Sequence, residues 1–85
     1  MIWTVVVAKT ARKQIGRIPA RDGERIATAL RAMAAGPFQG DIMKLEGLEN
    51  SYRRRVGNYR VFFRVDRASG AVGISAIVRR TSTTY

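Results

Sequence analysis

Residues 51–65 read SYRRRVGNYRVFFRV, and the way this stretch pairs with itself decides the fold. Two runs rich in aromatic and β-branched residues flank Gly57-Asn58. Glycine at the first central position suits a two-residue type II′ turn, whose twist matches that of the strands it joins. Such a turn sets the register. Val56 faces Tyr59, Arg55 faces Arg60, Arg54 faces Val61 and Arg53 faces Phe62, with successive side chains on opposite faces. One face carries Tyr52, Arg54, Val56, Tyr59, Val61, Phe63 and Val65, a core face with one misfit. The other carries Ser51, Arg53, Arg55, Arg60, Phe62 and Arg64. Arg54 is expected either to snorkel at a sheet edge or to be turned outward by a bulge.

Two arginines directly opposite each other destabilise a strand pair by about 0.2–1 kcal/mol unless an anion intervenes, and a phosphate reverses the sign. Any one of these arginines alone reads as part of a solvated face. Five of the thirteen arginines fall in this stretch, however, and the cluster reads as an anion site.

Working outward, 85 residues allow one small domain, 1–85, with a core large enough to fold and little to spare. Sixteen basic against six acidic residues give a net charge of +10, which favours a polyanionic partner, nucleic acid or an acidic protein. Cysteine and histidine are both absent. With only six scattered carboxylates left, a metal site or a Ser-His-Asp triad is close to excluded, and no disulfide framework exists. The N-terminal MIWTVVVAKTARK lacks a leading basic region and a cleavage site, and no run approaches membrane-spanning length. A cytoplasmic location is expected, with no membrane partner.

Residues 2–8 form a β-branched run of strand length, and helical spacing begins at Lys9 and Thr10. Ala11, Ile15 and Ile18 share one helix face, and Pro19 closes this helix or opens the next. From 20 to 35 the apolar positions Ile26, Leu30 and Met33 keep helical spacing until Gly36-Pro37 stops it. Gly23 costs about 1 kcal/mol relative to alanine, so an irregular first turn is expected. A short strand at 42–45 carries Lys44, and 71–79 forms the last strand after the turn-forming 66–70. With Asp66 facing Ala71 and Phe63 facing Ile74, Arg60 faces Ile77. Arg79 then shares the face of Arg60, bringing Arg55, Arg60 and Arg79 together. The architecture is α+β: an N-terminal strand, two helices, then a three- to four-stranded antiparallel sheet with the helices on one face.

The pattern KLEGLENSYRRRVGNYRVFFRV at 44–65, followed by a strand ending in IVRRTSTTY at 77–85, resembles the RelE branch of the RelE/ParE superfamily of bacterial toxin–antitoxin toxins. The resemblance covers essentially the whole chain. It rests on the Lys-Leu-x-Gly at 44–47, the basic pair Arg53 and Arg55, the Gly-x-Tyr-Arg at 57–60, and the six-residue spacing from Arg79 to Tyr85. It implies a RelE-like fold, an acidic antitoxin as partner, and ribosome-dependent endoribonuclease activity. Such a toxin enters the ribosomal A site and cleaves messenger RNA, without metal or cofactor, by attack of a 2′-hydroxyl on the neighbouring phosphate.

Carried over by position, the resemblance gives Arg53 and Arg55 to the RNA backbone, with Arg55 assisting the chemistry, and Arg60 to the pentacovalent phosphate. Arg79 falls near the leaving group and Tyr85 is the general base; Lys44, Arg54 and Arg80 are further candidates for RNA contact. Phosphoryl transfer needs fixed positive charge where the equatorial oxygens gather negative charge, and arginine supplies it permanently. Arginine at 53 and 55 cannot give up a proton, so proton transfer falls to Tyr85, whose ordinary pKa of about 10 the arginines must lower. Two other readings stay open: a ParE-like protein that poisons DNA gyrase by binding alone, and a basic RNA-binding or antitoxin-binding module without activity.

Overall fold

The structure, a computed structural model, describes residues 2–80. The elements run β1 (Thr4–Val7), α1 (Lys9–Gly16), α2 (Ala20–Met33), β2 (Ile42–Lys44), β3 (Ser51–Val56), β4 (Tyr59–Asp66) and β5 (Ala71–Arg79). The five strands form one mixed sheet in the order β1-β5-β4-β3-β2. The α+β class is as expected. The sheet is larger than the expected three or four antiparallel strands because β1 joins it, parallel to β5, with Val5 and Val7 half-buried and Thr4 and Val6 exposed. No helix among the described residues is long and apolar enough to cross a membrane.

The central strand β4 shows why the sheet has two unlike faces. Tyr59, Val61, Phe63 and Val65 are buried, whereas the residues between them are half-buried or exposed. Ala11 of α1 and Ile26, Leu30 and Met33 of α2 share one core with Val61, Phe63, Val72, Ile74 and Ile77. Both helices therefore cover the same face. Burial of each large apolar side chain stabilises by about 1.5–3 kcal/mol, so this face dictates how the strands sit.

Side chains then tie helices to sheet. The Tyr59 hydroxyl donates to Asp22 in the first turn of α2 at 3.3 Å, which satisfies the polar end of a buried ring. That first turn is regular, contrary to the expectation from Gly23: its N–H donates to the Pro19 carbonyl at 2.8 Å. An aromatic chain, Trp3 edge-on to Phe38, Phe38 edge-on to Tyr52, Tyr52 stacked on Phe63, closes the other end of the core. Strand β1 starts at Thr4 rather than residue 2 because Ile2 is 86% exposed and the Trp3 N–H turns to the Ala34 carbonyl at 2.7 Å.

The hairpin register is the one the turn dictates, from Val56 opposite Tyr59 to Ser51 opposite Arg64. Gly57 takes φ +57° and Asn58 does not have positive φ, as a type II′ turn requires. The β4–β5 ladder departs from expectation halfway. Asp66 pairs with Ala71 and Phe63 with Ile74 as expected, but a bulge between Phe62 and Phe63 puts Phe62 opposite Ala76, Val61 opposite Ile77 and Arg60 opposite Val78. The extra residue is Ser75, whose hydroxyl donates to the Phe62 carbonyl at 3.1 Å. Burial explains the slip: it brings Ile77 inward beside Val61, where an unbroken ladder would have turned it out.

Strand β1 accompanies β5 only as far as Ile74, so the Ile77 N–H needs another acceptor. Gln14 of α1 supplies it, its side-chain oxygen 2.6 Å away. Gln14→Ala should lower stability to urea by about 1–3 kcal/mol, the cost of stranding a poorly solvated N–H, while Gln14→Glu retains most of it. Equal midpoints for Gln14→Ala and the wild type would show that water replaces the side chain freely. In the β4–β5 turn, the Ser69 hydroxyl, the Ser69 and Ala68 N–H groups and the neighbouring Arg64 hold the Asp66 carboxyl below its ordinary value. A depressed pKa contributes stability above the unfolded value of about 3.9 and loses it as pH falls through the folded one. The stability difference between the wild type and Asp66→Ala should therefore shrink below about pH 4; a difference unchanged at lower pH would contradict this.

Candidate functional site

The face opposite the helices is open among the described residues, and its outward positions fall in three rows across the strands. Arg55, Arg60 and Val78 form the first, at the hairpin end. Met43, Arg53, Phe62 and Ala76 form the second, and Ser51, Arg64, Gly73 and Val6 the third. In a two-residue hairpin the pair beside the turn is hydrogen-bonded, so Arg55 with Arg60 and Arg53 with Phe62 are the non-hydrogen-bonded pairs whose side chains lie closer. Arg53 and Arg60 are half-buried; Arg55 and Arg64 are exposed.

The residues paired with Arg53, Arg55 and Arg60 on the neighbouring strands are Met43, Phe62, Val78 and one another, none of them acidic. Arg53 donates to the Met43 thioether at 3.2 Å, a weak acceptor that orients the guanidinium without neutralising it. Two carboxylates stand at the borders: Asp41, whose carbonyl accepts the Arg55 N–H at 2.9 Å, and Asp66, two residues beyond Arg64. An open hollow of about 620 Å³, lined by Asn50, Arg64, Asp66 and Arg67, lies at the opposite end of the sheet, by the β4–β5 turn. Among the described residues no group of three or more His, Cys, Asp or Glu is placed to hold a metal ion.

Of the residues singled out from sequence, Arg53, Arg55 and Arg60 come together as the hairpin register requires. Arg54 does not join them. It lies on the helix side, its guanidinium 3.5 Å from the Ala29 carbonyl of α2 and beneath Gly40, which takes φ +96° where a Cβ would meet that guanidinium at 3.1 Å. No bulge turns it outward; the long side chain snorkels between helix and loop. Lys44 is exposed opposite Tyr52, so its side of edge strand β2 is also the helix side, away from the basic rows.

The expected neighbourhood of Arg60 and Arg79 is corrected by the bulge. Arg79 pairs with Tyr59 and so falls on the face of that core residue, at the exposed strand end. Arg80 follows, its N–H donating to the Asn58 carbonyl at 2.6 Å, and alternation from Val78 gives it the side of Arg60. Tyr85 lies outside the described residues. Sequence reasoning also missed Arg25, which leaves α2 to pack on the hairpin turn: a Cβ at residue 57 would lie 3.3 Å from its guanidinium. The signal was there in Gly57, since a turn residue without a side chain leaves room for a neighbour.

The assembled surface is a strip of fixed positive charge, open to solvent, with one aromatic ring in its middle. It suits the backbone of an extended polyanion better than a small enclosed ligand. Comparisons with known proteins agree with the fold. The family model described as ParE toxin of type II toxin–antitoxin systems, parDE, matches residues 2–83. No individually curated protein matches the chain. Among solved structures, the chain is similar to an archaeal RelE–RelB complex of Pyrococcus horikoshii, with TM-score 0.84 and 25% identity over 98% of this chain and 100% of the other. A RelBE2 complex of Mycobacterium tuberculosis gives 0.83 and 23% over 94% and 100%, and isolated RelE of Escherichia coli 0.82 and 16% over 95% and 87%. With the family model spanning nearly the full chain, the chain belongs to the ParE toxin family of type II toxin–antitoxin systems, within the RelE/ParE superfamily.

Proposed function

We propose that this toxin is a ribosome-dependent endoribonuclease that cleaves messenger RNA in the A site and so stops translation in the cytoplasm. The observation that carries the reading is the direct opposition of Arg55 and Arg60 on an open face, with Arg53 in the next row. Like charges held opposite each other cost stability, and an RNA phosphate between them converts that cost into binding.

In the reaction, the 2′-oxygen attacks the adjacent phosphorus as its proton leaves to a base. The bond to the 5′-oxygen breaks, and that oxygen takes up a proton from water while the arginine beside it supplies positive charge alone. The products are a 2′,3′-cyclic phosphate and a 5′-hydroxyl. Negative charge grows on the non-bridging oxygens, where Arg60 is given the stabilising role, while Arg53 and Arg55 hold the flanking backbone. Arginine keeps its proton, so the base is Tyr85, as the resemblance implies. The leaving-group role falls to Arg79 by resemblance and to Arg80 by the alternation past the bulge. The other partner is an acidic antitoxin segment, whose charge would neutralise this strip; the solved relatives from Pyrococcus and Mycobacterium are toxin–antitoxin complexes. A ParE-like gyrase poison is the second reading, favoured by the family model that matches.

Arg60→Ala should lower the single-turnover cleavage rate on programmed ribosomes by about 10²–10³-fold, as loss of other oxyanion donors does, with a smaller change in ribosome affinity. Arg31→Ala, on the exposed side of α2, serves as control. Between the two C-terminal arginines, Arg80→Ala should cost more than Arg79→Ala if the bulge governs the site. A wild-type protein that cuts no message on ribosomes yet traps gyrase on DNA would overturn the ribonuclease reading.

A further inference from the structure

Among the aromatic residues described, Phe62 is the one on the face away from the helices. Trp3, Phe38, Tyr52 and Phe63 pack on one another, and Tyr59 is buried with its hydroxyl on Asp22. Phe62 instead lies in the middle row of the open face, half-buried. Arg53 stands opposite it, Arg60 and Arg64 lie two residues away on the same strand, and the remaining side is bounded by the small Ala76. A single exposed apolar residue is ordinary on a protein surface, but here the phenyl ring occupies a position with arginines at three of its neighbouring positions, Arg53, Arg60 and Arg64.

The strand opposite this position is irregular. The bulge falls at Phe62/Phe63, and the Ser75 hydroxyl holds the Phe62 carbonyl at 3.1 Å. The surplus residue belongs to β5, so β4 alternates without a break and Phe62 keeps the outward side that it shares with Arg60 and Arg64, at the centre of the basic strip. Two residues along a strand span about 6.8 Å, so the ring stands roughly one nucleotide unit from the Arg55–Arg60 pair.

We propose that Phe62 is the stacking platform for a nucleobase of single-stranded RNA, the base next to the phosphate held between Arg55 and Arg60. Arginines around the ring take the backbone on either side while the ring takes the face of the base, the combination by which proteins grip single strands. Stacking tolerates every base and favours the larger purine surface, so the platform contributes affinity and a mild purine preference in place of a hydrogen-bonded code. The inference rests on the ribonuclease reading and adds to it a residue that binds substrate without touching the reacting atoms.

The test uses short RNA made uncleavable by 2′-O-methylation, carrying the fluorescent purine analogue 2-aminopurine at successive positions, titrated with the full chain. Stacking should quench one position. Phe62→Leu should abolish that quench and weaken binding by about 5- to 30-fold, Phe62→Tyr should keep both, and an abasic nucleotide at that position should erase the difference between the wild type and Phe62→Leu. RNA binding with no position quenched, or with Phe62→Leu equal to the wild type, would overturn the platform and leave the ribonuclease reading standing. No RNA binding by the wild type would also overturn the platform, whereas the ribonuclease reading fails separately, when the wild type cuts no message on programmed ribosomes. A Phe62→Leu loss that persists in full on the abasic RNA would mean a general packing effect and would also overturn the platform.

Discussion

The two-residue turn at Gly57-Asn58 is the constraint on which the rest depends. With Gly57 at φ +57° there is no freedom to slip, and Arg55 is set opposite Arg60. The repulsion between them, about 0.2–1 kcal/mol, is small beside the burial of Tyr59, Val61, Phe63 and Val65 on the reverse of the same strand, each about 1.5–3 kcal/mol. The core wins, and the charges stay where they oppose each other. A one-residue slip would relieve the arginines only by exposing the core set, so the hydrophobic face holds the basic face in place.

The second determinant is the single extra residue in β5. Up to Ile74 the strand runs between β1 and β4 in simple register; beyond it, β1 has ended and Ser75 is bulged out. Gln14 takes over the role of β1 at Ile77, which lets Ile77 turn inward and shifts every later side chain by one. The consequence for chemistry is that Arg79 accompanies Tyr59 and Arg80 accompanies Arg60. A structural need of the core thus selects which of two adjacent arginines faces the strip.

The sequence made the hairpin legible to the residue because a two-residue turn leaves one register available, and Gly57 announces that turn. Both helices were legible from apolar spacing bounded by Pro19 and Gly36-Pro37, and β5 from its β-branched run. The bulge was not. An alternating strand gives no mark of one surplus residue, and Ser75 reads as any outward polar position; only the demand that Ile77 be buried reveals it. Arg54 stands out in the sequence as the misfit of its face, but its resting place depends on the Ala29 carbonyl and the left-handed Gly40, both distant in sequence. The parallel seat of β1 beside β5 likewise depends on a contact between chain ends that local pattern does not encode.

The central claim is that the opposed arginines form a preorganised anion site, and thermal unfolding in sodium sulfate against sodium chloride at matched ionic strength tests it most directly. Sulfate stabilises most proteins by exclusion from their surface, so the informative quantity is the excess of the wild type over Arg60→Ala. The account predicts a larger sulfate-specific rise in Tm for the wild type and for Arg31→Ala than for Arg60→Ala. An equal rise in all three would contradict it.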